Sequence, residues 1–334
     1  MRTFLLFFGT TLSMILSAHA EEPIFERISP GEEARHIHYG KRFQEIQQEL
    51  ASGGDVHRGL HAKTHGCPVA QLVVNGNLAP EDAQGIFKAG ARYSALTRFS
   101  NGSTKIQDDG ERDFRGLALR IFNVEGERFQ DLLLTNAPSH FARNSTEMME
   151  FFEAAHAGGL YLLKYFVFHP TKAAKIISDS SHPVSSLLTE RYWSRVSFLH
   201  GNRAVKYYAH PCSDYAKRRP DDPPANYLRD NLKNHLRDNA ACFHIMAQYY
   251  INEELTPIED ATVEWKTDIA PMVSLAMLTL PTQVFDTPEQ KEVCEKLSFN
   301  PWNGLKAHRP LGEMNRARKV VYPLSQAARN GDAP

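Results

Sequence analysis

Apolar residues recur along this chain with two different periods, and the switches between them sketch the architecture. From Pro23 to Ala51 they fall at helical spacing, with Ile46 and Leu50 set among Glu, Gln and Lys. This predicts a helical arm over residues 21–54, closed by the breaker Ser52-Gly53-Gly54-Asp55. Thr97-Arg98-Phe99-Ser100-Asn101-Gly102 reads as a strand ending in a turn. Leu117 to Phe122 alternates, Asn123 to Arg128 supplies a hairpin turn, and Phe129 to Leu134 returns as a second strand. Glu147 to Lys175 then takes the helical period and carries Met148, Met149, Phe151 and Phe152. Tyr192 to Tyr208 reads as a turn-rich return to the sheet, and Arg218 to Pro224 as a polar surface loop. Ala241 to Tyr250 and Val273 to Leu278 are two more strand-like runs, and a helix around Arg318 to Tyr322 follows near the end. Strands joined by short turns imply an antiparallel sheet, with closure into a barrel as one option, in an α+β chain.

The first twenty residues follow neither period. Met1-Arg2, the apolar run from Phe4 to Leu16 and the ending Ser17-Ala18-His19-Ala20 form a secretory signal pattern. Residues 1–20 are therefore expected to be a cleavable signal peptide, which makes the protein periplasmic or secreted, without an integral membrane span after processing. The body is expected over residues 55–334. Its make-up, 42% hydrophobic and 23% charged, is ordinary for a globular domain. A formal net charge of −1 gives no reason to expect nucleic acid or anionic lipid as a bulk partner. The four cysteines, Cys67, Cys212, Cys242 and Cys294, form no C-x-x-C pair. In an exported chain they permit one or two disulfides, with the pairing open. No G-x-G-x-x-G follows a strand, so a nicotinamide site is not indicated.

Two places carry candidate chemistry. Arg318 and Tyr322, four apart, share a face if their segment is helical, and a guanidinium beside a phenol favours the phenolate, a hard ligand for ferric iron. Arg329, seven residues further on, adds a cation that could meet a carboxylate of the same bound group. His61 and His65 have the spacing of a helical metal pair, but Gly59, Gly66 and Pro68 crowd them, so a strand running into a turn is the better reading. One such histidine, buried beside a reactive oxygen species, suits general acid–base work.

With these pieces in order the chain resembles the haem catalase family, and most of all small exported catalase-related proteins that lack a C-terminal flavodoxin-like domain. Arg58-Gly59-Leu60-His61-Ala62-Lys63 is similar to the family's distal-histidine segment, and Thr97-Arg98-Phe99-Ser100 to the barrel strand that follows. Arg112 to Leu119 resembles its charged turn and strand, and Asp131 to Phe141 its distal-asparagine segment. Ser298 to Trp302 and Arg318 to Arg329 resemble the proximal end. The resemblance implies a haem b (Fe) buried between an antiparallel β-barrel and a helical cap with C-terminal helices. Tyr322 would be the axial ligand with Arg318 sustaining its charge, and Arg58, Arg98 and Arg329 would meet the propionates. His61 would be the distal acid–base, supported by Ser100, with Phe141 lining the pocket. The implied activity is reduction of hydrogen peroxide or organic peroxides through a ferryl intermediate, with an unidentified small molecule as reductant and self-association left open. One departure bears on this. Where the family's segment reads Asn-Asn-Thr-Pro, this chain has Thr135-Asn136-Ala137-Pro138, so the distal donor is Thr135 or a shifted Asn136. His140 also replaces an aromatic residue. A lost preorganised donor costs orders of magnitude in rate, which favours a peroxidase of modest catalase activity. The alternatives are a haem-dependent isomerase of lipid hydroperoxides and a haem-binding protein with little turnover.

Overall fold

Alternation along the strands decides what faces what. In the computed structural model, which describes residues 26–51, 54–213 and 219–330, the chain runs through seven α-helices and ten strands. Helix α1 (Glu32–Ala51) comes first, followed by β1 (Thr64–Gly66), β2 (Val69–Val74), β3 (Arg92–Asn101), β4 (Arg115–Phe122) and β5 (Phe129–Thr135). Three helices come next: α2 (Ser145–Ala157), α3 (Gly159–Phe168) and α4 (Pro170–Ser180). Then follow β6 (Tyr192–Trp193), β7 (Phe198–His200), β8 (Arg203–Pro211), α5 (Tyr227–Asp238), β9 (Ala241–Tyr249) and β10 (Met272–Leu280). Helices α6 (Pro288–Lys296) and α7 (Glu313–Asn330) complete the described chain.

Eight antiparallel strands close into a barrel in the order β3-β2-β10-β9-β8-β6-β5-β4, with β4 returning to β3; β1 lies beside β3, and β7 pairs with β8. Successive side chains on a strand point to opposite faces, so one set fills the interior. Leu72, Phe99, Leu117, Leu119, Ile121, Leu132, Phe243 and Leu278 belong to that core, each at most 1% exposed. The opposite set on β3, β4 and β5 faces the helical layer. Helix α1 lies along α7, and Gly40 permits a close approach: a Cβ there would stand 2.7 Å from Leu324 Cδ1 and 3.2 Å from Val320 Cγ1. At the N-terminal end of α7, Arg316 binds Glu26, Glu32 and Glu259 together, knitting residues before α1 to the last helix. Two disulfides, Cys67–Cys294 and Cys212–Cys242, use all four cysteines, and the first ties the β1–β2 link to α6.

Several expectations need correcting. Of the arm, residues 21–25 lie outside the described residues, and residues 26–31 are not helical: a turn is closed there, with Glu32 N donating to Ser29 O at 3.1 Å. The predicted signal peptide, residues 1–20, lies outside the described residues. The helical run from Glu147 to Lys175 is three helices rather than one, interrupted at Gly158, which takes φ +93°, and at His169-Pro170, where the proline has no N–H to continue the ladder. His61 sits in a turn at φ +57°, and only His65 is in a strand. His65 is buried with Nε2 bonded to Asn101 Oδ1 at 2.7 Å, and no cluster of three metal-ligating side chains occurs among the described residues. No helix among those residues is long and apolar enough to cross a membrane.

Candidate active site

Register brings the site together. Ser100 on β3, Gly116 on β4 and Thr135 on β5 are direct cross-strand neighbours, and so are Arg98, Ala118 and Leu133 two positions along. All six stand on the face turned away from the barrel core, and all line one cavity of about 590 Å³ roofed by the helices. The same cavity is lined by His61, Arg58, His140, Phe141, Arg195, Arg318, Tyr322 and Arg329. Of the residues singled out in the sequence, nine therefore meet in one space: His61, Ser100, Thr135, Arg58, Arg98, Phe141, Arg318, Tyr322 and Arg329.

The tenth does not. Asn136 is turned away from the cavity, its Oδ1 accepting from Arg115 N at 2.6 Å and its Nδ2 donating to Glu190 Oε2 at 2.9 Å. Both ends of the amide are committed to the framework, so of the two residues Thr135 is the one that lines the cavity. One residue along a strand turns the side chain to the other face, and this is why the neighbour cannot substitute.

His61 is fixed from three sides. Its N–H donates to Gly102 O at 3.1 Å, its carbonyl accepts from Arg98 Nη2 at 2.7 Å, and its Nδ1 is hydrogen-bonded to Ser100 Oγ at 3.1 Å. Among the described residues Nε2 has no hydrogen-bond partner. Burial, together with the charges of Arg98, Arg195 and Arg318, pushes the imidazole down to about 3 against a weaker pull from the Asn101 backbone, so it is neutral at ordinary pH. Beneath the ring is a gap that only glycine leaves: a Cβ on Gly116 would lie 2.6 Å from His61 Nδ1 and 2.7 Å from Ser100 Oγ. His140 is also held neutral by burial, well below its usual range, and its Nδ1 accepts from Ala142 N at 3.0 Å.

On α7, Arg318 donates to Tyr322 Oη from Nη2 at 2.7 Å and from Nε at 3.3 Å, while its Nη1 donates to Asn315 Oδ1 at 3.0 Å. Pro323 follows Tyr322 inside the helix, so the tyrosine lies at a break in the hydrogen-bond ladder.

The remaining arginines form a cationic end of the cavity. Arg58 Nη1 pairs with Glu295 Oε2 at 2.5 Å, and its Nη2 donates to the carbonyls of Cys294, Glu295 and Leu297. Arg98 Nη2 reaches Thr64 Oγ1 at 2.6 Å, and Arg329 donates to Ser298 Oγ and the Leu297 carbonyl. Three guanidiniums thus share a single nearby carboxylate. Arg98 is pushed well down from its ordinary value by burial and by Arg58 and Arg329, and its Nε is buried without a partner. An anionic group placed here would relieve that repulsion.

These features fit a haem. The missing side chain of Gly116 and the methyl of Ala118 leave room on the barrel wall, the three arginines suit carboxylates, and Tyr322 and His61 line the same space. No known protein-family profile matches this sequence. Among solved structures it is similar to a fungal catalase, at 18% identity and TM-score 0.70 over 85% of this chain and 61% of that one. It is also similar to a bacterial catalase, at 19% identity and TM-score 0.67 over 98% of this chain and 67% of that one. A third likeness, to catalase A from Saccharomyces cerevisiae, has 17% identity and TM-score 0.66 over 84% of this chain and 62% of that one. The chain has the catalase fold. It spans about 61–67% of the length of these catalases.

Gly116 and Arg195 were passed over in the sequence. Gly116 stands inside a motif already noted, and its neighbours on the adjoining strands would have marked it once the register was known. Arg195 lies in an irregular link between β6 and β7 and has no periodic signal at all.

Proposed function

We propose that this protein is a haem-dependent peroxidase of catalase fold, reducing hydrogen peroxide or organic peroxides with electrons from an organic donor. The observation that carries the reading is the meeting of His61, anchored on Ser100, with Tyr322, anchored on Arg318, in one cavity that ends in three arginines. Haem b, when bound, supplies a ferric centre at which the peroxide O–O bond is cleaved. Tyr322 would hold the iron through its phenolic oxygen, and the two donors from Arg318 would stabilise negative charge there. Arg58, Arg98 and Arg329 would hold the propionates.

His61, neutral above about pH 3, accepts the proton of an incoming peroxide at Nε2 and returns it to the departing oxygen, so that water or an alcohol leaves instead of an oxyanion. Ser100 keeps the ring oriented during this exchange. Thr135 offers one hydroxyl donor where an amide would reach further, which supports donor oxidation over dismutation of hydrogen peroxide. Export to the periplasm or beyond belongs to the same proposal. It is supported by the signal pattern over residues 1–20 and by the use of all four cysteines in disulfides, a habit of oxidising compartments.

The test is stopped-flow absorbance of the purified haem-loaded protein mixed with hydrogen peroxide, with oxygen release followed in parallel. The expected result is a fast spectral change that reverses only on addition of an organic donor, with little oxygen released. A protein that takes up no haem sinks the proposal. Conversion of a fatty-acid hydroperoxide without consumption of a donor would make it an isomerase instead.

A further inference from the structure

We propose that Arg195 forms a carboxylate-binding subsite, and that the organic substrate of the cavity is an apolar monocarboxylate. Arg195 is 8% exposed and lines the cavity. Its Nε donates to Ser139 O at 3.0 Å and its guanidinium lies 5.2 Å from the centre of the Phe114 ring. Among the described residues neither terminal nitrogen has a hydrogen-bond partner, and Nη2 is fully buried. None of the carboxylates among those residues is in ion-pair contact with it. Asp179, the only acid whose charge is felt there, is engaged by Lys175 at 2.9 Å, and Asp113, which shares the cavity, is held by Gln107 at 3.2 Å and lies 3.9 Å from Arg115. The nearby imidazoles of His61 and His140 are neutral, and Arg318 is committed to Tyr322.

The backbone makes the same point independently. Arg195 takes φ +62°, a left-handed conformation that glycine or asparagine adopts far more easily. A buried, unpaired cation on a strained backbone is doubly unfavourable to folding, and strain of this kind is retained where a ligand uses it. The aromatic side chains of Phe114, Phe141, Phe151 and Phe152, with Met148 and Ile176, line the same cavity, so a ligand held at Arg195 by its carboxylate has apolar surface for its body. The triple-arginine cluster is a separate group: Arg98 feels Arg58 and Arg329, whereas Arg195 feels Arg318 and Asp179. The inference deepens the peroxidase reading by naming the substrate class, but binding at Arg195 does not require turnover.

The experiment is calorimetric titration of the full-length haem-loaded protein with hexanoate and with 1-hexanol, for the parent and for Arg195→Gln, Arg195→Lys and Arg195→Gly. Haem content and the thermal midpoint are recorded for each. Expected are saturable hexanoate binding, a loss of at least tenfold in Arg195→Gln, partial rescue in Arg195→Lys, and a hexanol response alike in all. Arg195→Gly should lose hexanoate binding while its thermal midpoint is no lower than the parent's, a combination that a purely structural residue does not produce. The proposal is overturned if the parent does not bind hexanoate, if Arg195→Gln binds it equally well, or if the variants lose haem in step with hexanoate, which would make Arg195 a propionate ligand. Hexanoate binding that depends on Arg195 in a protein that never takes up haem would keep this inference and remove the peroxidase reading.

Discussion

Gly116→Ala is the substitution that most directly probes the geometry of the site. The added methyl carbon would lie 2.6 Å from His61 Nδ1, 2.8 Å from His61 Cε1 and 2.7 Å from Ser100 Oγ, whereas ordinary contact begins near 3.4 Å. The ring must therefore withdraw by about 0.8 Å. Strand β4 cannot move instead, because it is paired on both sides, with β3 and with β5. The main chain of His61 is held by Gly102 and Arg98, so the adjustment falls on its side-chain torsions and breaks the 3.1 Å bond to Ser100. Overpacking of this kind costs about 1–3 kcal/mol of stability, and a displacement approaching 1 Å in a reacting group costs roughly 10²-fold in rate. The expected variant folds, loads haem, and reacts with hydrogen peroxide about a hundredfold more slowly in stopped flow. Ser100→Ala, which removes the hydroxyl without moving the ring, should lose less. A Gly116→Ala protein that reacts at the parent rate would refute the claim that His61, in this position, handles the peroxide proton.

Tyr322→Phe should fail to retain haem through gel filtration, since it removes the phenolic oxygen that Arg318 addresses; retention of the parent's ferric spectrum would exclude Tyr322 as the ligand. His61→Ala should keep haem but react with peroxide roughly 10²–10⁴ times more slowly, and an unchanged rate would remove His61 from the chemistry. Arg316→Ala leaves Glu26, Glu32 and Glu259 facing one another and should lower unfolding stability by about 3 kcal/mol, read from denaturant midpoints; a loss below 0.5 kcal/mol, roughly that of an ordinary surface change, would show the cluster to be solvated. The pH profile has three parts. Burial pushes Glu26, Glu32 and Glu313 up, but Arg309, Arg316, His36 and backbone donors together outweigh it and hold them below the ordinary carboxylate value, so their stabilisation is present above about pH 4.5 and lost as pH falls through their lower folded values. Burial raises Asp113 to about 6, so its contribution runs the other way: it improves as pH falls from about 6 towards its ordinary 3.8. His61, His65 and His308, pushed by burial down to about 3, 4 and 3 from an ordinary 6.5, outweigh Asp113: the unfolded chain takes up their protons as pH falls below about 6.5, and the folded form does not. The thermal midpoint should therefore fall steadily as pH drops below about 6.5, and a maximum near pH 5 would contradict this balance.

How much of this was legible beforehand follows from the range of the interactions involved. Leu117 to Phe122 and Phe129 to Leu134 announce themselves by alternation and a turn, and β4 and β5 form where that pattern lies. Arg318 and Tyr322 are one helical turn apart, so their contact is written in local spacing. Which of Thr135 and Asn136 looks into the cavity was not legible, because it depends on which strand face looks outward, and that follows from pairing with Gly116 and Arg115. The breaks at Gly158 and His169 were hidden by apolar residues that continue through them, several of which, such as Leu160 and Phe168, turn out to be exposed. Disulfide pairing over a separation of 227 residues, and the left-handed Arg195, depend on tertiary placement alone.

The packing of α1 along α7 also sets a schedule. Tyr39 and Phe43 from the first helix line the same cavity as Arg318 and Tyr322 from the last. Chain synthesis delivers α1 well before α7, with the whole barrel between them, so long-range closure has to wait for both walls. The barrel can begin pairing its early strands while synthesis continues, but the receptacle does not exist until α7 has arrived and docked. For the haem protein proposed above, loading would then follow the docking of α7, and a chain cut before Arg318 would keep the barrel strands while losing Arg318, Tyr322 and Arg329 from the cavity wall.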